Sequence, residues 1–256
     1  MHRVILLGAS NLTLSFPMIV ESLKQSASEP LAVLAAHGHG RSYGGWSSVL
    51  VRSLPGIDGC GIWDELAETA ESHRRPTALL TDIGNDLIYG YEVDQILGWV
   101  CKCLDRLAAH QTETILTLLP VASLFRLSAA RFQCTRMLFF PGRRFSWTEM
   151  KKRIELLDAG LRNLADEYNI LAIEPQQNWY GLDPIHIRKS RRQSAWKHIF
   201  SHWKSVPNSI EVNSVSILRQ IEILRLQPHE RRFFGRAQNR TQPIHSTPEG
   251  FSLSLY

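Results

Sequence analysis

Short apolar runs of strand length alternate along the chain with longer segments of helical spacing. Residues 3–7, 31–36, 77–83, 114–119 and 170–173 are rich in Val, Ile, Leu and Thr, the composition of strands buried on both faces. Segments 12–25, 62–73, 92–110, 147–168 and 190–204 instead repeat apolar positions at helical spacing, as Leu14, Ile19, Val20 and Leu23 do in the first. Strands alternating with such helices predict right-handed β-α-β crossovers and a sheet covered on both sides. The expected fold class is α/β, a three-layer α/β/α domain around a central, mostly parallel five-stranded sheet.

Two stretches fall outside this rhythm. Residues 121–146 hold apolar clusters and arginines around Pro141-Gly142-Arg143-Arg144, and read as an elaborated crossover overhanging the ends of the strands. Beyond Pro207 the pattern predicts a helix over 215–226 and a basic, aromatic stretch, Glu230-Arg231-Arg232-Phe233-Phe234-Gly235-Arg236. A hairpin follows from 244–246 and the near-alternating 251–256. The simplest division is a catalytic domain over 1–205 and a C-terminal extension over 206–256. Phe233, Phe234 and the alternating terminus need burial, so the extension is expected to pack on the domain or on a partner subunit, as in a homo-oligomer.

Composition narrows the classes without choosing among them. At 256 residues, 44% apolar and 21% charged, the chain can build one sizeable core and is not disordered. A net charge of +5 is too dispersed to make a nucleic-acid footprint. Cys60, Cys101, Cys103 and Cys134 show neither CxxC pairing nor histidines at zinc spacing, the usage of free thiols in a reducing, cytoplasmic setting. Residues 4–7 are too short for a signal-peptide core and no segment is of membrane-spanning length, so no membrane partner is expected.

The chemistry lies in four loops that each follow a strand, where parallel sheets place their ligands. They read Gly8-Ala9-Ser10-Asn11, His37-Gly38-His39-Gly40, Asp82-Ile83-Gly84-Asn85-Asp86 and, after the fifth strand, Asp183-Pro184-Ile185-His186. Each alone has a plain structural explanation: an N-capping serine, turn chemistry, a solvated Asp–His pair. Together they assemble what acyl transfer needs. A serine hydroxyl requires a base, a histidine titrates near neutrality, an aspartate can orient it, and N–H donors stabilise an oxyanion.

This order resembles the SGNH (GDSL-type) hydrolase family, whose blocks are named for Ser, Gly, Asn and His. Gly8-Ala9-Ser10-Asn11-Leu12 is similar to its first block, Gly84-Asn85-Asp86 to its third and Asp183-Pro184-Ile185-His186 to its last. The second block resembles the glycine loop, with Gly40 the better match and Gly38 still open. Ala9 stands where the family usually carries aspartate. The resemblance spans residues 3 to about 204 and implies a flavodoxin-like sheet and a serine esterase of small-molecule O-acyl esters. Ser10 would be nucleophile, His186 base and Asp183 its orienter, with Ser10, Gly40 and Asn85 as oxyanion donors and no cofactor or metal.

Rival readings share some of these residues. Gly40-Arg41-Ser42-Tyr43-Gly44 is a literal G-x-S-x-G, which would make Ser42 the nucleophile of an α/β-hydrolase, although only one β-α unit precedes it. Gly38, Gly40 and Gly44 fall one residue out of a dinucleotide fingerprint, and His37 with His39 lacks partners for a metal. Tyr43, Trp46, Leu87, Tyr89 and Trp179 are candidates for an acyl pocket, and Arg41, Arg143 and Arg144 for an anionic substrate. A non-catalytic binding module derived from the same fold is the other class.

Overall fold

A computed structural model describes residues 1–68, 74–128, 146–205 and 210–256. Five parallel strands form the centre of the main sheet: β1 (His2–Leu7), β2 (Leu31–Ala36), β5 (Thr77–Leu80), β6 (Glu113–Thr117) and β7 (Leu171–Ile173). They lie in the order β2-β1-β5-β6-β7, so β1 is central and the chain winds outward from it in both directions. Between β2 and β5 the chain adds a short hairpin, β3 (Ser47–Val49) and β4 (Arg52–Leu54).

The period of two along each strand divides the core. Ile5 and Leu7 of β1, with Leu34 of β2 and Leu80 of β5, face one side. There they meet α2 (Ile62–Glu68), α4 (Val93–Ala109) and α6 (Trp147–Glu167) through Leu66, Val100, Leu104 and Leu157. Val4, Leu6, Val33 and Leu79 face the other side, against α1 (Ser10–Ser26) and α7 (Arg192–Phe200) through Phe16, Ile19, Trp196 and Phe200. Two short helices, α3 (Asn85–Tyr89) and α5 (Val121–Leu124), follow β5 and β6. The three-layer arrangement expected from the apolar pattern is the one observed.

The sheet has seven strands rather than five. β10 (His245–Ser246) and β11 (Phe251–Leu255) form the expected antiparallel hairpin, and β11 also pairs parallel with β2 from Phe251↔Leu31 to Leu255↔Ala35. Residues far apart in sequence thus share one backbone ladder, which apolar alternation alone does not announce. Phe251, Leu253, Leu255 and Tyr256 are buried. The helix expected over 215–226 is α8 (Ile217–Arg225), packed against α1.

The basic, aromatic stretch forms a second hairpin, β8 (Glu230–Phe233) and β9 (Arg236–Asn239), joined to β3 and β4 in a four-stranded antiparallel sheet. Phe233 and Phe234 are exposed there, contrary to the burial expected of them. Arg131, Cys134, Arg136, Arg143 and Arg144 lie outside the described residues, so the expected crossover is seen only in its two ends. Among the described residues no helix is long and apolar enough to cross a membrane.

Since β11 is a sheet strand, damage there should be felt by the whole fold. Leu253→Ala should lower the unfolding free energy by about 3 kcal/mol, read as a shifted midpoint in a urea titration. A loss below about 0.5 kcal/mol would mean that the strand contributes nothing to the common core.

Candidate active site

The four loops meet at the carboxyl ends of the central strands. Strand β1 runs through Gly8 and Ala9 into α1, and Ala9 offers no side-chain acceptor to the helix's free N–H groups. The cap comes from the loop after β5. Asp82 Oδ2 accepts hydrogen bonds from the backbone N–H groups of Ala9 (3.0 Å), Asn11 (2.9 Å) and Leu12 (3.1 Å). A carboxylate at this end is favoured by the hydrogen bonds and by the helix dipole. Asp82 itself has φ of 61°, a left-handed conformation that aspartate tolerates better than most residues. With the cap supplied from outside, the Ser10 hydroxyl is free for other work, and its Oγ accepts the Gly40 N–H at 3.3 Å.

Gly40 is held in place by shape and by a hydrogen bond. Its φ is 61°, and a Cβ there would lie 2.7 Å from the Tyr89 hydroxyl, so a side chain is excluded twice. That hydroxyl donates to the Gly40 carbonyl at 2.6 Å. Burial, then the Asp86 and Tyr91 charges, push the Tyr89 phenol up to about 12, which keeps it a donor across the physiological range. Gly38 does not line the cavity described below, and a Cβ there would strike Leu54. The glycine that meets Ser10 is Gly40.

Asn85 opens α3 beside them. Its Nδ2 is buried without a hydrogen-bond partner, a state that costs about 1–3 kcal/mol and that native proteins seldom leave unexplained. The neighbouring Asp86 is fully buried and accepts the Tyr43 N–H at 2.8 Å. Burial pushes Asp86 up to about 6, against hydrogen bonds from Ser42 and Tyr43 that pull it down. Asn85 and Asp86 thus divide the work, the first lining the cavity and the second locking the glycine loop.

The loop that carries His186 is shaped by Asp183. Its Oδ1 accepts the backbone N–H groups of Ile185 (3.0 Å) and His186 (3.2 Å), and its Oδ2 meets His186 Nδ1 at 2.6 Å. The hydrogen bond to Asp183 raises the His186 imidazole above its ordinary value of 6.5; desolvation opposes it, and the Asp183 and Asp82 charges add to it. For Asp183 burial acts upward, but the hydrogen bond and charge of His186 with the two N–H groups outweigh it, and the net shift is downward.

Asn11 then ties the His186 loop to the Ser10 loop. Its amide donates to Asp82 Oδ1 (2.8 Å) and to the Ile185 carbonyl (2.9 Å), and its oxygen accepts the Ile187 N–H (2.8 Å). The backbone on both sides of His186 is thereby fixed to the residue after Ser10. Ser10, Gly40, Asn85, Asp183 and His186 line a single cavity of about 740 Å³. Its walls beyond them are mostly apolar, including Leu119, Leu124, Met150 and Ile154 on one side of the sheet and Trp179 and Trp196 on the other.

Other candidates fall elsewhere. Ser42 is fully buried, and its Oγ accepts the N–H groups of Gly44 and Gly45; it does not line the cavity, so the G-x-S-x-G match is a turn. Arg41 is neither at a substrate nor solvated. It is buried and donates to the carbonyls of His37, Pro55 and Tyr256. His37 is held down to about 3, by burial first and then by the Arg41, Arg52 and His39 charges. It bonds Thr13, whereas His39 lines the cavity. Of the five aromatic and apolar pocket candidates, Leu87 and Trp179 line the cavity. Tyr43 is core, Trp46 lies under Arg232 and Tyr89 holds Gly40.

No family model and no curated protein matches the chain in sequence. Solved structures do match its fold. A carbohydrate acetylesterase family member from Sinorhizobium meliloti superposes with a TM-score of 0.50 at 14% identity, over 82% of this chain and 96% of that one. An acetyl xylan esterase gives 0.50 at 12% identity, over 77% and 98%. A member of the lipolytic G-D-S-L family from Veillonella parvula gives 0.49 at 12%, over 79% and 100%. The chain has the SGNH hydrolase fold.

Within the SGNH fold, two of the residues described above carry geometry that the block pattern did not assign: Asn11 and Asp82. The signal was present but unread. Both are polar side chains on the loops that bear Ser10 and Asn85, and a helix start lacking its own cap needs an acceptor from somewhere. The raised imidazole can be measured directly. The ¹H NMR titration of His186 should have its midpoint above 6.5, and Asp183→Asn should move it down. A wild-type midpoint at or below 6.5 would contradict the Asp183 pairing.

Proposed function

We propose that this protein is a serine hydrolase that cleaves an O-acyl ester, with Ser10 as nucleophile and His186 as general base. The observation that carries the reading is the orphaned Asn85 amide, buried in the same cavity as the Ser10 hydroxyl and the Gly40 N–H. A tetrahedral oxyanion is the acceptor the Asn85 amide lacks, and the Gly40 N–H, which meets the Ser10 Oγ, is placed to share it. His186 Nδ1 is engaged by Asp183, which leaves Nε2 to take the Ser10 proton as Oγ attacks the acyl carbon. The oxyanion is held by the Gly40 and Asn85 donors and by the Ser10 N–H. When it collapses, the proton returns from Nε2 to the departing alcohol. Water then repeats the sequence on the acyl-enzyme and regenerates Ser10.

The structural neighbours that are acetylesterases support ester chemistry but a small acyl group. The cavity argues for a larger one, since about 740 Å³ with apolar walls is far more space than an acetyl group fills. The same proposal keeps the protein cytoplasmic, on the unpaired thiols of Cys60, Cys101 and Cys103.

Two measurements bear on this. A fluorophosphonate probe should label wild type and Ser42→Ala but not Ser10→Ala; a folded wild type that does not label would leave only the binding-module reading. In a series of p-nitrophenyl esters, kcat/KM should rise from acetate to octanoate by up to about fourfold per methylene, the transfer free energy of one CH₂. A steady fall beyond acetate would restrict the acyl group to the size suggested by the fold neighbours.

A further inference from the structure

The small four-stranded sheet beside the cavity mouth has an unusual pair of turns. β3 and β4 are joined by Leu50-Val51 across the pair Val49↔Arg52, and β8 and β9 by Phe234-Gly235 across Phe233↔Arg236. Leu50 has φ of 55° and Phe234 φ of 48°, the left-handed region where two-residue hairpins use glycine, asparagine or aspartate. A bulky side chain there is strained, and burial does not repay the strain, since Leu50 is 97% exposed and Phe234 71%. The Phe234 N–H donates to the Val51 carbonyl at 2.8 Å, so the two tips sit together with Val51 and Phe233, which are also exposed.

The chemistry around the tips is one-sided. Arg231, Arg232, Arg236 and Arg240 stand on or next to β8 and β9, with Glu230 as the one acid on those strands. Arg231 lies over the Phe233 ring and Arg232 over Trp46, so cations lie against apolar rings on both faces of this small sheet. Val49, adjacent to Leu50, lines the cavity, and its Cγ2 would lie 3.1 Å from a Cβ on Gly40.

We propose that these hairpin tips dock the protein on an anionic lipid surface, with Leu50 and Phe234 entering the apolar layer and the arginines meeting the headgroups. Apolar tips ringed by positive charge match an interface that is oily within and negative at its edge. Such docking needs no membrane-spanning segment, so it departs from the expectation of no membrane partner without requiring a transmembrane helix. It goes beyond the hydrolase reading and does not depend on Ser10.

The test is co-sedimentation of the full chain with phosphatidylcholine vesicles made with and without phosphatidylglycerol. Wild type and Ser10→Ala should bind the anionic vesicles alike. The double variant Leu50→Asn with Phe234→Asn, whose new residues suit left-handed turns, should keep its thermal midpoint and lose at least about tenfold in partitioning. Neutralising Arg232 and Arg236 together should cost about 30-fold on anionic vesicles and little on neutral ones. The proposal is overturned if wild type stays in solution, if the double variant binds as wild type does, or if the tips instead drive a concentration-dependent dimer that the double variant abolishes. Because Ser10→Ala is assayed in parallel, vesicle binding without fluorophosphonate labelling would sink the hydrolase reading and leave this one standing.

Discussion

A single carboxylate, Asp82, holds the site's parts in register. Its oxygens accept three backbone N–H groups at the start of α1 and the Asn11 amide, so the loop after β5 is bolted to the loop after β1. Asn11 passes the constraint on to the backbone on either side of His186. Hydrogen bonds to a charged group in a partly buried place are each stronger than a neutral pair. A cluster of four on one side chain fixes three loops that approach from positions in the chain far apart. The loops that carry Ser10 and His186 are therefore joined through contacts that neither of those residues makes itself.

The same economy appears on the glycine side. Tyr89 holds the Gly40 carbonyl, Asp86 holds the Tyr43 N–H, and Tyr43 reaches the carbonyls of Leu7 and Thr81 at the ends of β1 and β5. Among the described residues that line the cavity, the Asn85 amide and the Trp196 indole N–H are buried donors without a partner. An unpaired donor is tolerable only where something is to be bound, because the desolvation cost is otherwise unreturned. A buried donor left open beside Ser10 and Gly40 suits the oxyanion of the proposed hydrolase reading.

Much of this was legible in the sequence because it depends on local pattern. Short continuous apolar runs and helical spacing located the central strands and their covering helices, and the blocks around Ser10, Asn85 and His186 fell after strands as parallel topology demands. What stayed hidden depends on distant pairing. That β11 would join β2, or that Asp82 would cap a helix seventy residues earlier, follows from no periodicity. Arg41 read as a candidate contact for an anionic substrate because it sits in a polar, glycine-rich loop. Only the fold reveals that carbonyls of residues 37, 55 and 256 close around it. Ser42 illustrates the converse, a motif match whose hydroxyl is spent on two backbone N–H groups.

The exposed aromatics of β8 and β9 mark where burial reasoning failed in an informative way. Phe233 and Phe234 were expected to be covered because apolar side chains usually are. In a chain whose other hairpin, β10 and β11, buries Phe251, Leu253 and Leu255, the failure is not a shortage of core. The same segment of sequence buries one hairpin and presents the other, and the presented one, like the β3–β4 hairpin it pairs with, places a bulky residue, Phe234 as there Leu50, at a backbone position that ordinary turn chemistry would fill with a smaller one. Local strain that folding does not reward has to be rewarded elsewhere. Leu50 directly follows Val49, which lines the cavity, so the strained turn of β3 and β4 stands beside it.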